Sequence, residues 1–318
     1  MKILANDGIS PAGENKLKSF GYEVITDPIA QNDLIEYINT NDIRVLLVRS
    51  ATQVRANLID ACPGLKMIGR GGVGLDNIDV EHAKSKGVEV INTPAASSQS
   101  VAELVMGSLF SMVRMTYDAN RKMPVYGNTE FKALKKKYAK GLELRGKTLG
   151  VIGTGRIGAA ASSYALGIGM KMIGYDAFMD KATVYVPLPD GTTMEVLMPM
   201  VSLEELYRSA DFITIHVPAQ PGEKPLISKN ELDIMKDGVY LINASRGGLI
   251  DEHDLIEALD SGKVAGATLD VFINEPTPKQ ELIAHPRLIT TPHIGAATLE
   301  AQDRIGTELA DKINDFFG

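Results

Sequence analysis

The residues best suited to chemistry in this sequence follow short apolar runs that predict strands. Arg246 comes just after residues 240–243, His293 just after residues 288–291, and Glu275 lies in the stretch between them. Because ligands of open parallel sheets bind outside the carboxyl ends of the strands, polar side chains there are candidates for a site. A histidine can act as a base, an arginine can stabilise a developing negative charge, and a carboxylate can hold the histidine. Local spacing leaves a helix-start histidine, a surface arginine and a turn glutamate as ordinary alternatives.

A glycine motif stands near the middle of the chain. An apolar run ends in Gly-x-Gly-x-x-Gly at Gly153, Gly155 and Gly158, a small-residue segment follows, and Asp176 comes 18 positions after the last glycine. The first glycine permits a tight turn, the second lets the backbone approach a pyrophosphate, and the third lets the helix pack against the sheet. The helix N-terminus offers unpaired N–H groups to the phosphates. The pattern predicts a dinucleotide site.

Asp176 bears on the choice of dinucleotide. A carboxylate at this spacing accepts hydrogen bonds from the adenosine ribose hydroxyls. It would repel a 2′-phosphate, so NAD is favoured over NADP as the cofactor. The alternative is that Asp176 only caps a turn.

Composition narrows the class of protein. The 318 residues are 44% hydrophobic and 23% charged, as in a globular protein with room for two domains. The net charge of −7 argues against a nucleic-acid partner, and the lysines at 132–140 are interpreted as a solvated face. Cys62 is the only cysteine, so no disulfide and no cysteine metal cluster is expected, and no metal is predicted. Without a signal peptide or a membrane-length apolar run, we expect a cytoplasmic protein with no membrane contact.

The order of predicted elements indicates an α/β protein. Short apolar runs alternate with helical patterns both before and after the glycine motif, which predicts parallel sheets covered on both faces. We expect two doubly wound parallel-sheet domains, with a Rossmann NAD domain at 97–293 inserted into a flavodoxin-like substrate domain formed by 1–96 and 294–318. The reaction is expected in the cleft between them, closed against water by domain movement.

Two segments need a further explanation. Residues 97–115 are apolar on more than one helical face, which predicts burial between domains or against a second subunit, and we expect a homodimer. Residues 181–200 hold a turn signal between β-prone stretches, which predicts an inserted hairpin with no assigned role.

The motifs together resemble the D-isomer-specific 2-hydroxyacid dehydrogenase family over essentially the whole chain. The segments that carry the resemblance are the glycine motif, 243–248, 269–272, 274–276 and 291–296. Within the family, residues 48–52 and 70–79 most resemble the phosphoglycerate dehydrogenase branch.

The resemblance implies the roles of the polar residues. Arg246 binds the substrate carboxylate and polarises the C2 oxygen, His293 exchanges the C2 hydroxyl proton as hydride passes to NAD, and Glu275 orients the imidazole. Arg49 and Arg70 would reach a substrate phosphate. The other implied substrate contacts are Ser50, Gly71, Gly72 and Val73. The implied cofactor contacts are Gly153, Gly155, Arg156, Ile157, Gly158, Asp176, Val217, Pro218, Ala244, Ser245, Asp270, Gly295 and Ala296.

The implied reaction is oxidation of 3-phosphoglycerate to 3-phosphohydroxypyruvate. The alternatives are a glyoxylate or hydroxypyruvate reductase and an NAD(H)-sensing binding protein of the same fold. Formate dehydrogenases of this fold pair the histidine with glutamine, so Glu275 argues against them. Gly71 and Val73 depart from the alanine and threonine often found in the family, and the insertion is longer than usual. The regulatory extension of some relatives is not seen, so no serine inhibition through such a domain is expected.

Overall fold

The chain divides into two compact units in the computed structural model, which describes residues 1–219, 222 and 224–318. The first unit comprises Met1–Ser100 and Ala296–Gly318, and the second comprises Val101–Gly295. The sequence-based boundaries at 96/97 and 293/294 lie close to these divisions.

The first unit contains a parallel sheet of five strands in the order β2-β1-β3-β4-β5. Its elements are β1 (Lys2–Ala5), α1 (Pro11–Ser19), β2 (Glu23–Ile25), α2 (Leu34–Thr40), β3 (Ile43–Val48), α3 (Ala56–Ala61), β4 (Met67–Arg70), α4 (Val80–Ser85) and β5 (Glu89–Asn92). This order is that of flavodoxin-like sheets, so the predicted fold is confirmed. Helix α1 begins where expected, because the Ser10 side chain accepts a hydrogen bond from the Gly13 N–H and Pro11 occupies the first turn.

The register of β3 and β4 places their carboxyl ends together. Val48 pairs with Arg70, and the Gly71 N–H donates to the Val48 carbonyl at 2.9 Å. The loops that begin at Arg49 and Gly71 therefore leave the same edge of the first sheet.

The second unit contains a parallel sheet of six strands in the order β13-β12-β11-β10-β6-β7. Its elements in chain order are α5 (Ser98–Arg114), α6 (Thr116–Tyr126), α7 (Phe131–Lys137), a 3₁₀ turn (Tyr138–Lys140), β6 (Thr148–Ile152), α8 (Arg156–Gly167), β7 (Lys171–Tyr175), β8 (Ala182–Pro187), β9 (Thr193–Met198), α9 (Leu203–Ser209), β10 (Phe212–Ile215), α10 (Lys229–Ile234), β11 (Val239–Asn243), α11 (Glu252–Ser261), β12 (Val264–Leu269), α12 (Gln280–Ile283) and β13 (Leu288–Thr290). From β6 the sheet is extended on one side by β7 and on the other side by β10, β11, β12 and β13 in turn. The β6–β10 pair is therefore the point where the strand order reverses, which is where such sheets bind ligands.

Strands β8 and β9 form the predicted hairpin, an antiparallel pair outside the six-stranded sheet. One face is apolar and buried, with Val184 and Met198 packed on Met172. The chain then returns beside β7, where the Gly174 N–H donates to the Pro199 carbonyl and the Val201 N–H donates to the Gly174 carbonyl, each at 2.9 Å. The insertion thus covers the β7 edge of the sheet.

Helix α5 is buried on most but not all of its surface. Val105 and Leu109 are fully buried, whereas Phe110 is 47% exposed. The sequence pattern predicted burial of several faces of this helix, but within the described chain one of its large apolar side chains stays exposed. Among the described helices, none has the length and apolar character needed to cross a membrane.

A last helix, α13 (Leu299–Phe317), belongs to the first unit. It packs on α1 through two glycines: a Cβ on Gly13 would lie 2.5 Å from the Gly306 Cα. Ile305, Leu309 and Ile313 join the buried cluster that covers one face of the first sheet. The first unit is therefore assembled from both ends of the described sequence.

Candidate active site

The glycine motif forms a tight connection between β6 and α8. Gly153 has φ +89°, and a Cβ there would lie 2.6 Å from the His216 carbonyl oxygen. A Cβ on Gly158 would lie 2.1 Å from the Gly153 carbonyl oxygen. In contrast, a Cβ on Gly155 would meet nothing within 4 Å, and Gly155 and Arg156 are exposed at the start of α8. The turn therefore fits a dinucleotide: close packing needs two glycines, and the third leaves backbone open for a pyrophosphate.

Asp176 lies beside this turn. Its Oδ2 accepts the Thr154 N–H at 2.9 Å and the Thr154 hydroxyl at 3.3 Å, while its Oδ1 accepts the Phe178 N–H at 3.0 Å. The carboxylate at the end of β7 is thus fixed against the glycine turn, where a ribose would follow the pyrophosphate. Sequence reasoning identified Asp176 but not Thr154 or Phe178, since neither belongs to the spacing pattern.

His293 and Glu275 are in direct contact. The His293 Nδ1 lies 2.8 Å from the Glu275 Oε2, and the Glu275 Oε1 accepts the Phe272 N–H at 2.9 Å. The glutamate is therefore held by backbone on one oxygen and holds the imidazole with the other. Both side chains are partly exposed, at 45% and 36%. With Nδ1 facing the glutamate, Nε2 is the ring nitrogen that can take or give a proton.

Asp270 fixes the loop that carries His293. The side chain is buried; its Oδ1 accepts the Thr291 hydroxyl at 2.6 Å and the Ile294 N–H at 2.8 Å, and its Oδ2 accepts the Gly295 N–H at 2.8 Å. The Asp270 carbonyl also accepts the His293 N–H at 2.9 Å. His293 has φ +54°, a left-handed conformation that is costly for a non-glycine residue and needs such support. The sequence pattern indicated Asp270 only as a cofactor contact.

Arg246 lies in the loop after β11 that approaches the Glu275 segment. The Asn243 side chain donates to the Arg246 carbonyl at 2.8 Å, and the Arg246 guanidinium donates to the Ser245 carbonyl at 2.7 Å. A Cβ on Gly247 would lie 2.1 Å from the Phe272 carbonyl oxygen. Because Phe272 also bonds Glu275, one chain of contacts joins the loops of Arg246, Glu275 and His293.

His216 ends β10 next to the glycine turn. Its Nε2 is hydrogen-bonded to the Thr214 hydroxyl at 3.0 Å, and its Nδ1 is buried without a partner among the described atoms. Burial lowers the pKa of this imidazole to about 4, so it is neutral near pH 7. Its charge therefore does not contribute to the anion-binding character of the turn.

The remaining predicted cofactor residues follow strands of the second unit, except Ala296, which is the first residue of the second segment of the first unit. Val217 packs near Gly153, and its carbonyl accepts the Ser245 hydroxyl. Gly295 is buried against Asp270. The Ala296 carbonyl accepts the Gln302 side chain at 2.8 Å.

The predicted substrate residues lie together in the first unit. Arg49 and Arg70 stand at the ends of neighbouring strands, and a Cβ on Gly71 would lie 3.6 Å from the Arg49 Cγ. Gly72 has φ +142°, and a Cβ there would lie 2.2 Å from an Arg70 guanidinium nitrogen. Only glycine therefore leaves the Arg70 side chain where it is. Val73 is 39% exposed at the tip of this loop.

Side chains that follow two other strands, β1 and β4, hold the Arg49 loop, and the sequence patterns did not indicate them. The Asp7 Oδ2 accepts the Arg49 N–H at 2.6 Å and the Thr52 N–H at 3.1 Å, and its Oδ1 accepts the Thr52 hydroxyl at 2.6 Å. The Asn77 amide donates to the Arg49 and Thr52 carbonyls at 3.0 and 2.7 Å, and the Asn6 amide donates to the Thr52 hydroxyl at 2.8 Å. The backbone of residues 49–52 is thus fixed on both its donor and its acceptor groups.

Comparison with known proteins agrees with this geometry. Residues 106–295 match the family described as D-isomer specific 2-hydroxyacid dehydrogenase, NAD binding domain. The chain therefore belongs to the D-isomer specific 2-hydroxyacid dehydrogenase family and is an NAD-dependent dehydrogenase, which confirms the class and the cofactor predicted from the motifs.

Individual relatives carry different substrate names. The chain is 43% identical over 294 residues to the hydroxypyruvate reductase of Thermotoga maritima, covering 92% of this chain and 90% of that one. It is 41% identical over 313 residues to the D-3-phosphoglycerate dehydrogenase of Methanocaldococcus jannaschii, covering 98% of this chain but 57% of that protein's length. Among solved structures, the TT0316 protein of Thermus thermophilus aligns with a TM-score of 0.82 at 30% identity, over 98% of this chain and 94% of that one.

Proposed function

We propose that the protein interconverts 3-phosphoglycerate and 3-phosphohydroxypyruvate with NAD as the hydride carrier. The observation that supports this substrate is the pair of arginines, Arg49 and Arg70, at the ends of neighbouring strands of the first unit. A doubly charged phosphate needs charge-assisted donors, and arginine supplies them in a planar fork. The loops that bear the two arginines are tied down by Asp7, Asn77 and Thr93.

In the proposed reaction, three side chains of the second unit handle the carboxylate and the proton. NAD, when bound, accepts the hydride that leaves C2 of the hydroxy acid. The His293 Nε2 takes the C2 hydroxyl proton, so the C2–O bond becomes a carbonyl. Glu275 holds the imidazole through Nδ1 at 2.8 Å and stabilises the positive charge that it gains. Arg246 binds the substrate carboxylate and polarises the C2 oxygen. In the reverse direction, His293 returns the proton.

The cofactor is proposed to bind at the glycine turn of the second unit. Exposed backbone at Gly155 and Arg156 would hold the pyrophosphate, and Asp176 would accept the ribose hydroxyls. Asp176 is the group that supports a preference for NAD over NADP, because a 2′-phosphate there would meet a carboxylate.

The substrate proposal is tested by Arg49→Ala. Loss of a charge-assisted contact should lower kcat/KM for 3-phosphohydroxypyruvate by about 10- to 100-fold, with a much smaller change for unphosphorylated hydroxypyruvate. Arg55→Ala is the matched control, since Arg55 is an exposed arginine of the same unit that pairs with Asp79 at 3.0 Å. An equal loss for both substrates would remove the reason for choosing the phosphate. If no 2-keto acid oxidises NADH, the proposed function fails altogether.

A second candidate is a hydroxypyruvate or glyoxylate reductase. It is favoured by the 43% identity to the Thermotoga maritima enzyme over nearly the full length of both chains. In that case hydroxypyruvate or glyoxylate should be reduced with a higher kcat/KM than 3-phosphohydroxypyruvate, and Arg49→Ala should change neither rate.

We further propose that the protein is a homodimer formed through the region α5 to α7. This region exposes large apolar side chains: Phe110 is 47% exposed, Val125 66% and Phe131 57%. Large apolar side chains left exposed are typical of interaction surfaces. Sedimentation should give a dimer that Val125→Glu and Phe131→Glu weaken, whereas Leu197→Glu on the β8–β9 hairpin leaves it intact. A monomeric wild-type protein would contradict the proposal.

A further inference from the structure

Glu252 is a buried carboxylate to which the reaction described above assigns no role. It is the first residue of α11 and is only 5% exposed. Removing a carboxylate from water costs free energy unless hydrogen bonds or a nearby cation compensate for the lost hydration. The partners of this side chain therefore indicate what the buried charge does.

The start of α11 is already capped by a different residue. Asp251 is the N-cap, and its Oδ1 accepts the His253 and Asp254 N–H groups at 2.9 and 3.0 Å. Asp254 also places a negative charge in the first turn, where it interacts favourably with the helix dipole. Stabilisation of the helix therefore does not account for the burial of Glu252.

Both oxygens of Glu252 face the segment that carries Glu275. The Glu252 Oε1 accepts the Ile273 N–H at 2.9 Å, and its Oε2 lies 4.0 Å from the Lys279 ammonium. Ile273 comes two residues before Glu275 and Lys279 comes four residues after it. One carboxylate thus holds residues 273–279 at both ends, and the lysine supplies a positive charge to the buried group.

The Ile273 contact lies next to the hydrogen bond that places Glu275. The Phe272 N–H donates to the Glu275 Oε1 at 2.9 Å, and the other Glu275 oxygen holds the proposed base. Gly247 packs against the same backbone: a Cβ there would overlap the Phe272 carbonyl and lie 2.7 Å from the Ile273 nitrogen. The peptide group between residues 272 and 273 is therefore fixed by Glu252 at its N–H and by the Gly247 loop at its carbonyl.

We propose that Glu252 is a positioning residue that holds Glu275 against His293. The inference rests on the proposed function, in which Glu275 orients the imidazole that exchanges the proton. Without the Ile273 contact, the peptide group before this segment can turn, and the Phe272 N–H no longer fixes the Glu275 Oε1. The imidazole then loses its orientation, and a displacement of about 1 Å at a reacting group can lower the rate about 100-fold.

Two substitutions separate this role from support of the helix. Glu252→Gln keeps an oxygen within reach of the Ile273 N–H and removes the charge, whereas Glu252→Asp keeps the charge and withdraws it by about 1.5 Å. In NADH-dependent reduction of a 2-keto acid, Glu252→Gln should keep kcat within about threefold of wild type. Glu252→Asp should lower kcat by about 10- to 100-fold with KM little changed. Wild-type kcat in Glu252→Asp, or a larger loss in Glu252→Gln than in Glu252→Asp, would overturn the proposal.

A double-mutant cycle tests whether the effect passes through Glu275. In the Glu275→Ala background, Glu252→Asp should lower kcat by less than about twofold, because no glutamate is left to position. The same loss in both backgrounds would overturn the proposal, since it would show that Glu252 acts elsewhere. Glu257→Ala, at a 58% exposed glutamate of the same helix, is the matched control and should leave kcat unchanged.

Hydrogen exchange separates this outcome from that of the proposed function, because it is measured without substrate. The Ile273 amide should exchange about 10-fold faster in Glu252→Asp than in wild type, and at the wild-type rate in Glu252→Gln. Unchanged exchange in Glu252→Asp would overturn the proposal even in an active enzyme. If no 2-keto acid oxidises NADH, the proposed function fails, and faster exchange of Ile273 in Glu252→Asp still supports the hold of Glu252 on this segment.

Discussion

Two loops at strand ends are each organised by one carboxylate that accepts three hydrogen bonds, yet they are built differently. In the second unit, each carboxylate oxygen of the buried Asp270 accepts a backbone N–H of the loop. This loop holds His293 in a left-handed conformation. In the first unit, half-buried Asp7 binds both backbone N–H groups through one oxygen and a rotatable hydroxyl through the other. The backbone of the loop proposed to exchange the proton therefore depends on both charged oxygens, whereas the backbone of the loop proposed to bind substrate depends on one.

The largest effect is expected at His293. His293→Asn should lower kcat by about 10²- to 10⁴-fold, the usual contribution of a general base, with NADH affinity nearly unchanged. His253→Gln, at a histidine that is 74% exposed on α11, is the control and should keep full activity. Retention of more than about a tenth of the rate in steady-state assays would show that another group exchanges the proton.

The next effect is expected for Asp270→Asn, which keeps the shape and removes one acceptor. The amide NH₂ must then face the N–H of either Ile294 or Gly295. Both groups are hydrogen-bond donors, and a backbone N–H cannot rotate away, so one of these two hydrogen bonds is lost. We expect a fall in kcat of about 10- to 100-fold as the His293 loop loosens, with KM less affected. Hydrogen exchange of the 291–295 amides should rise in parallel. Wild-type kcat in this variant would contradict the view that the loop needs both oxygens.

Acid should destabilise the second unit through His216, whose neutral imidazole has its Nδ1 buried without a partner among the described atoms. Its pKa is about 4 when folded and near 6.5 when unfolded, so the unfolded chain binds the extra proton between these values. This stabilisation is complete above pH 6.5 and is lost as the pH falls towards 4; at pH 5 the loss is about 2 kcal/mol. Urea unfolding at pH 7 and pH 5 should show a smaller drop for His216→Gln than for wild type. Equal drops would show that the imidazole does not titrate in this way.

The smallest effect is expected for Asp7→Asn, the same substitution in the first loop. The amide oxygen can keep both N–H groups of Arg49 and Thr52, and the Thr52 hydroxyl can rotate to accept from the NH₂. We expect KM for the 2-keto acid to change by less than about threefold. Thr52→Val removes that adaptable hydroxyl and leaves the Asn6 amide and Asp7 with fewer partners, so KM should rise by about 10-fold. If Asp7→Asn is as harmful as Asp270→Asn, the contrast between the loops is wrong.

The fold could be predicted because its signals are local, whereas the proposed roles of Arg246, Glu275 and His293 came from the resemblance to a family and not from local spacing. Alternating apolar runs predicted the parallel strands, and the glycine spacing predicted the β6–α8 turn. The side chains that hold the Arg49 and His293 loops in place could not be predicted from local signals. Asp7, Thr52 and Asn77 come from three different strand ends, and they meet only because β1 and β4 both flank β3. Thr291 reaches Asp270 only because β12 and β13 are neighbours. Strand order in space, which no short sequence pattern encodes, decides these contacts.

The contact between α1 and α13 has a consequence for how the chain folds during synthesis. At about 5 to 20 residues per second, the ribosome releases α13 tens of seconds after α1. Until then Gly13 faces water, and one face of the first sheet lacks the apolar cover of Ile305, Leu309 and Ile313. Strands β6 to β13 of the second unit are all released before that helix. The inserted unit can therefore fold first, and the unit that starts the chain is completed last.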